Sequence, residues 1–245
     1  MRIIDAHTHL GQGTNMQLDE KALLGLMDDA GVDFAIICPM DRFLAVDNKE
    51  GNELIKRAVK QHPDRFAGMA SANPWFGKRA VDEIRRALDE GLMGVKLHPV
   101  IQGFHLADPM VYPLIEAARE YNVPVYVHTG TAGIAEPFHA AELAMSFPDV
   151  NFIMGHAGAS DYYADTVRSS EFADNLWFES SRNGPGNFCY WRTAGVMDRV
   201  VFGSNAPEYI PKIEIANMLD VYTDDDTKGI FGENIRKVFR GRLPV

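Results

Sequence analysis

Two histidines near the start of the sequence have the spacing of metal ligands. His7 and His9 follow Ile3 and Ile4, whose apolar, β-branched side chains favour a β-strand. Side chains alternate along a strand, so both imidazoles are expected on one face, where they can bind a single metal ion. The same alternation places Asp5 on that face. A pair of surface histidines is the alternative, and the short pattern alone does not decide between them.

Three more histidines come directly after short apolar runs of the strand type, namely His98, His128 and His156. The segment 203–207, with the sequence GSNAP, follows the last such run. In a barrel of parallel strands, the carboxyl ends of the strands carry the active site. Polar groups at five such strand ends are hard to explain by packing. The sequence therefore predicts a metal site at one mouth of a barrel.

The apolar runs alternate with stretches of helical periodicity along the whole chain. The eight predicted strands are 3–5, 34–38, 66–70, 94–97, 123–127, 151–154, 176–178 and 200–202. Repeating units of about 30 residues predict an α/β fold, a (β/α)8 TIM barrel, forming a single domain over residues 1–245. A doubly wound open sheet is the alternative. It usually has a glycine-rich phosphate turn after the first strand, where this sequence has histidines.

The bulk composition excludes several classes of partner. The formal net charge of −10 argues against nucleic acid and anionic membranes as partners, although a local basic site can still bind a small acidic substrate. No apolar run reaches the roughly 18 residues of a membrane-spanning helix. The two cysteines, Cys38 and Cys189, form no disulfide framework. We therefore expect a reducing, cytoplasmic location.

Five short motifs, taken together, resemble a known family. They are DAHTH at 5–9, GVKLHP at 94–99, VHTG at 127–130, GHAG at 155–158 and FGSNAP at 202–207. The chain resembles the amidohydrolase superfamily, specifically its amidohydrolase-related branch, over essentially its full length. The resemblance implies a TIM barrel of the metal-dependent hydrolase type, with one divalent metal, most often zinc, at its mouth. It also implies His7, His9 and His128 as ligands and His156 as a catalytic histidine or further ligand. Relatives are often dimers, so a homodimer is compatible with it.

Asn205 departs from the pattern of this family. Relatives carry an aspartate at this position, which binds the metal and takes a proton from the attacking water. An asparagine offers only a neutral amide oxygen and has no basic site near neutral pH. Three interpretations stay open: another group acts as the base, catalysis is impaired, or the asparagine was introduced. We retain Asn205 as a catalytic position and metal ligand, and we expect weaker metal binding than in relatives.

Five other residues are candidates for the site. Lys96 is expected at the mouth as a catalytic group, with an ion pair favoured over carboxylation, and His98 shares its strand face as a substrate-binding residue. Glu179 is a candidate substrate-binding residue that could replace the missing base or, as we favour, fix the tautomer of a neighbouring histidine. Arg42 and Arg182 are candidates to bind a substrate carboxylate, and exposed surface arginines are the alternative.

These expectations define three functional hypotheses. The first is a metal-dependent hydrolase that uses activated water to cleave an amide, ester or lactone bond of a small, carboxylate-bearing substrate. The second is a non-oxidative decarboxylase, a lyase that needs the same metal ligands. The third, prompted by Asn205, is an impaired or non-catalytic metal- or ligand-binding barrel.

Overall fold

Nine strands form a single sheet in the computed structural model, which describes residues 2–159 and 161–245. The strands are β1 Ile4–Gln12, β2 Gln17–Leu18, β3 Phe34–Pro39, β4 Phe66–Ala70, β5 Gly94–Leu97, β6 Val125–His128, β7 Phe152–Gly155, β8 Leu176–Glu179 and β9 Val200–Val201. β2 is a short antiparallel partner of β1 at the edge. The others are parallel and neighbour one another in chain order.

The last strand closes the sheet onto the first. The Ala6 backbone N–H donates to the Phe202 carbonyl at 2.8 Å, and the Asn205 N–H donates to the His7 carbonyl at 2.8 Å. The His9 N–H donates to the Ala206 carbonyl at 2.9 Å. The eight parallel strands therefore form a barrel, and the fold predicted from the sequence is confirmed.

Helices cover the outside of this barrel. They are α1 Glu20–Ala30, α2 Asp41–Ala45, α3 Asn48–Gln61, α4 Lys78–Asp89, α5 Pro99–Gln102, α6 Tyr112–Glu120, α7 Pro137–Ser146, α8 Tyr163–Ser169, α9 Pro185–Ala194, α10 Pro211–Leu219, α11 Asp224–Lys228 and α12 Asn234–Val238. Local signals set their ends. In α1, the Asp19 side chain accepts from the Ala22 N–H, and Gly31 ends the helix in the left-handed conformation.

Two separate apolar cores follow from the alternation of side chains along the strands. In β3, Ala35 and Ile37 belong to the larger core, which also contains the buried faces of the helices. Phe34 and Ile36 point the other way, into a smaller core that fills the barrel. The helical segment over 224–238 is continuous, with a π-helical turn at Gly229–Glu233, and its Ile235 packs into this inner core.

The predicted strands match the observed ones to within a few residues, apart from the extension of β1 to Gln12. Over the described part of the chain, no helix is both long enough and apolar enough to cross a bilayer.

Candidate active site at the carboxyl mouth of the barrel

A cavity of about 160 Å³ lies at the carboxyl ends of the barrel strands. Seven of the ten residues predicted from the sequence line it, namely His7, His9, Lys96, His98, His128, His156 and Asn205. Asp41 and Glu208 add two carboxylates to its wall. The three predicted residues that do not line it are Arg42, Arg182 and Glu179. The cavity is small, and imidazoles form much of its floor.

A bulge in β1 decides which side chains of this strand reach the cavity. Asp5 pairs with Ala35 and Thr8 with Ile37, so the two residues Ala6 and His7 oppose a single residue of β3. The extra residue breaks the alternation that placed Asp5 beside the histidines. The Asp5 carboxylate instead accepts from the His7 backbone N–H at 3.1 Å and does not line the cavity. The expectation that Asp5 shares the face of His7 is therefore wrong.

Lys96 and His7 meet at the bottom of the cavity. Their Nζ and Nε2 atoms lie 2.8 Å apart, and both side chains are buried. Burial lowers the pKa of Lys96 to about 8, and burial together with the Lys96 charge holds the pKa of His7 well below its usual value. His7 is therefore neutral. Burial and the same lysine lower the pKa of His9 to about 3.

The other three imidazoles form a contiguous row. The ring of His98 stacks on that of His128, with centroids 3.8 Å apart. Nδ1 of His128 lies 3.0 Å from Nε2 of His156. Burial is the main cause that holds the pKa of all three well below the usual histidine value. These side chains are neutral bases at pH 7, as metal ligands and proton acceptors must be.

Glu179 lies beneath the cavity and is fully buried. Its carboxylate accepts from the Tyr126 hydroxyl at 2.8 Å, from the His156 N–H at 3.0 Å and from the Ser181 N–H at 2.6 Å. The Ser181 hydroxyl donates to it as well, at 3.0 Å. A carboxylate held by four donors and shielded from the cavity is a structural anchor for the histidines. It is not positioned to bind substrate or to act as the base.

Asn205 follows β9 in a left-handed conformation, with φ of 58°. Its amide Nδ2 donates to Glu208 Oε2 at 2.8 Å. Because a carboxylate only accepts, the amide nitrogen must face Glu208 and the amide oxygen must point elsewhere. His156 and Arg182, which follow β7 and β8, also have positive φ, of 62° and 65°. Three neighbouring strands thus end in tight turns of a kind that is concentrated at functional sites.

The two arginines lie outside the cavity. Arg42 pairs with Asp47 at 3.0 Å and with Glu50 at 3.4 Å, on an exposed part of α2. Arg182 is exposed, although its charge contributes to the lowered pKa values of His128 and His156. Neither guanidinium lines the cavity as a clamp for a substrate carboxylate.

Among the described residues, two groups of three side chains could each hold a metal ion, because the ligand atoms within each group lie within 4.8 Å of one another. The first is His7, His9 and Cys38, and the second is His7, His156 and Glu179. The second is a hydrogen-bond network, since Tyr126 and Ser181 bind the Nδ1 atoms involved. The predicted set of His7, His9 and His128 is not one of these groups, because His128 is turned towards His156, and it stays a prediction.

Four residues of the site escaped the sequence analysis. Tyr126 lies two residues before His128, so strand alternation could have placed it on the same face. Ser181 stands two residues after Glu179 by the same spacing. Asp41 and Glu208 lie beyond the strand ends, where no local pattern distinguishes a cavity carboxylate from a solvated one.

Comparison with known proteins agrees with the fold and the motifs. The chain is 30% identical over 78 residues to 2-amino-3-carboxymuconate-6-semialdehyde decarboxylase of Dictyostelium discoideum, a stretch covering 31% of this chain and 22% of that protein. The 2,6-dihydroxybenzoate decarboxylase from Rhizobium superposes with a TM-score of 0.77 at 16% identity, covering 98% of both chains. A manganese-bound dihydroxybenzoic acid decarboxylase from Polaromonas superposes with a TM-score of 0.74 at 16% identity, covering 98% of this chain and 97% of that one.

The solved chains that share this fold also include a hydratase. The family model described as Amidohydrolase (Amidohydro_2) matches residues 4–241, which include every motif on which the sequence-based resemblance depends. The chain therefore belongs to the amidohydrolase family.

Proposed function

We propose that this protein is a metal-dependent hydrolase that cleaves an amide, ester or lactone bond of a small substrate. The observation that carries this proposal is the cavity of neutral imidazoles at the carboxyl mouth of the barrel, with carboxylates in the same wall. Neutral imidazoles can bind a metal and accept protons. The carboxylates can take a proton from water, and hydrolysis needs both functions.

His7 and His9 fit a divalent metal best. Their nitrogens lie within 4.8 Å of each other and of the Cys38 sulfur, and burial keeps both rings neutral. We propose His7 and His9 as ligands, with His128 or Cys38 as the third. A zinc or manganese ion, when bound there, would act as a Lewis acid that activates water and polarises the scissile carbonyl.

Glu208 is the carboxylate that we propose as the base in this chain. It lines the cavity 2.8 Å from the amide of Asn205, the position at which relatives carry an aspartate. Asp41 is less suited, because both of its oxygens accept from the Thr14 N–H, and these bonds help to lower its pKa. Glu208 Oε2 would take the proton from the attacking water and return it to the leaving group.

The charges of the cavity restrict the substrate. Lys96 is the one lysine or arginine among the residues that line it, and Asp41 and Glu208 oppose it. A substrate with two carboxylates would be repelled by these two groups. We therefore propose a substrate that is neutral or carries one carboxylate, which the Lys96 ammonium would face.

A decarboxylase is the second candidate. It is supported by the stretch of 78 residues that is 30% identical to a decarboxylase, and two structural neighbours act on dihydroxybenzoates. The same imidazoles would hold the metal and substrate, and Lys96 could donate the proton that replaces carbon dioxide.

Isotope and gas measurements on the same samples separate the two candidates. Protein reloaded with Zn²⁺ or Mn²⁺ is incubated in ¹⁸O-labelled water with a panel of esters, lactones, amides and hydroxybenzoates. A hydrolase incorporates one ¹⁸O atom into the acid product, whereas a decarboxylase releases carbon dioxide without such incorporation. Neither product from any compound, at full metal occupancy, would contradict the proposal and favour a binding protein.

A further inference from the structure

We propose that Glu179 fixes the proton positions of three cavity histidines at once, acting through Tyr126 on His7 and through Ser181 on His156 and His128. The inference concerns the site of the proposed function. It follows from counting donors and acceptors, without reference to any substrate. Glu179 would be a positioning residue that touches neither substrate nor metal.

In its ionised form, the Glu179 carboxylate can only accept hydrogen bonds. Two of its four donors are backbone N–H groups, those of His156 and Ser181, which cannot act as acceptors. Burial raises the pKa of Glu179, whereas the hydrogen bonds from these N–H groups and from the two hydroxyls favour its ionised form. The hydroxyls of Tyr126 and Ser181 each carry one proton. Both must direct it to Glu179, at 2.8 and 3.0 Å.

The first arm sets the tautomer of His7. The Tyr126 oxygen lies 2.8 Å from His7 Nδ1. Its proton is already directed to Glu179, so the oxygen can only accept, and Nδ1 must carry the hydrogen. His7 is neutral, so its Nε2 then holds the lone pair. This agrees with the other side of the ring, where the Lys96 ammonium can donate to Nε2 at 2.8 Å.

The second arm sets two tautomers in series. The Ser181 oxygen lies 2.7 Å from His156 Nδ1 and, by the same reasoning, accepts from it. His156 Nε2 therefore holds a lone pair, and it lies 3.0 Å from His128 Nδ1. That atom must be the donor, which leaves the lone pair of His128 on Nε2. One carboxylate thus gives all three rings the same tautomer.

The same distances exclude the opposite tautomer of His7. If His7 carried its hydrogen on Nε2, that atom would face the Lys96 ammonium with no lone pair to accept. Tyr126 would have to donate to both His7 and Glu179 with one proton. One of two contacts at 2.8 Å would then join acceptor to acceptor. In a fully buried site, such a contact is unfavourable, because two acceptors face each other without a proton between them.

The arrangement has a chemical consequence. The lone pairs of His7 and His128 are on Nε2. That of His7 accepts from the Lys96 ammonium at 2.8 Å, and that of His128 can bind a metal or accept a proton. The Nε2 of His156 already accepts from His128. In this state His156 cannot donate a proton from Nε2 to an oxyanion. Its part is to orient His128.

Nuclear magnetic resonance of the metal-free protein tests the proposal without any assay of turnover. Long-range ¹H–¹⁵N correlation spectra distinguish the two tautomers of each histidine. In the wild type, we expect the Nδ1–H form for all three rings. Ser181→Ala should alter the signals of His156 and His128 and leave His7 unchanged. Tyr126→Phe should alter His7 alone.

Glu179→Gln should alter both arms, since a glutamine amide adds donors where the network needs acceptors. Tyr121→Phe and Ser146→Ala remove exposed hydroxyls elsewhere and should change none of these signals. An Nε2–H form of any of the three rings in the wild type would overturn the proposal. So would unchanged spectra in Glu179→Gln. If the variants do not fold, the wild-type spectrum alone decides. Failure of every substrate in the panel would leave this result intact.

Discussion

Asn205 and Glu208 form a hydrogen-bonded pair in the wall of the cavity. The amide of Asn205 donates to Glu208 at 2.8 Å, so the carboxylate of this pair stands three residues later than the family pattern places it. Both side chains line the cavity. The missing aspartate therefore does not leave this wall without a carboxylate, which favours the interpretation that another group acts as the base.

Restoring the aspartate tests this arrangement. Asn205→Asp would place two carboxylates in contact, and their repulsion is relieved by a bound cation. We expect the affinity for Zn²⁺ to rise at least about tenfold, or about 1.4 kcal/mol, as measured by isothermal titration calorimetry. Asn205→Asp with Glu208→Gln keeps the net charge of the wild type and should still bind more tightly. Unchanged affinity and turnover in both variants would show that position 205 is outside the metal site.

At the scale of the elements, two glycines beneath the cavity leave space for large side chains of neighbouring strands. Tyr126 of β6 crosses over β7 at Gly155, where a β-carbon would lie 2.2 Å from the tyrosine oxygen. At Gly203, after β9, a β-carbon would lie 2.3 Å from Glu179 Oε1, so this glycine leaves the space that the carboxylate needs. The hydrogen-bond network of Glu179 therefore depends on two glycines that make no hydrogen bond to it themselves.

Gly155→Ala should displace Tyr126 and destabilise the protein. Overpacking a rigid core typically costs about 1–3 kcal/mol, and we expect a loss in this range in urea denaturation. Gly25→Ala is the matched control, because nothing lies near its position in α1 and alanine favours a helix by about 0.5–1 kcal/mol. A Gly155→Ala variant as stable as the wild type would mean that Tyr126 is not held in this position.

Glu214, in the first turn of α10, provides a pH-dependent prediction at this scale. Burial raises its pKa from 4.5 to about 7. Between these values the folded protein binds a proton that the unfolded chain has lost, so stability falls as the pH rises through this window. Glu214→Gln resembles the protonated form. Relative to the wild type, its unfolding free energy should rise by about 2 kcal/mol from pH 5 to pH 8.

Urea denaturation at several pH values measures this difference. The control is Glu116→Gln, which makes the same chemical change at a side chain that is about half exposed. A difference for Glu214→Gln that stays constant with pH would contradict the raised pKa.

For the whole molecule, the electrostatic field opposes anionic substrates. The net charge is −10, and Asp41 and Glu208 line the cavity. Salt screens such repulsion, because the Debye length falls to several ångströms above physiological ionic strength. The field therefore favours neutral substrates at low salt.

Matched neutral and anionic esters test this effect. We expect kcat/KM for the anionic ester to rise about two- to fivefold between low and about 0.5 M salt, while the neutral ester changes little. A decrease for the anionic ester would mean that Lys96 and Arg182 outweigh the carboxylates at the cavity.

The sequence by itself determined the barrel and the composition of its mouth. Period-two and helical patterns are local, and the carboxyl ends of parallel strands meet whatever the details of packing. His7, His9, His98, His128 and His156 could therefore be assigned to one cavity although they are spread over most of the chain.

The tertiary structure alone decided how these groups are oriented. The bulge at Ala6 and His7 moved Asp5 away from the histidines, because one extra residue reverses the alternation of a strand. Which carboxylate is buried under the cavity, as Glu179 is, and which faces it, as Glu208 does, depends on hydrogen bonds between strands distant in sequence. Such contacts leave no periodic signal in the chain, since they are set by three-dimensional packing.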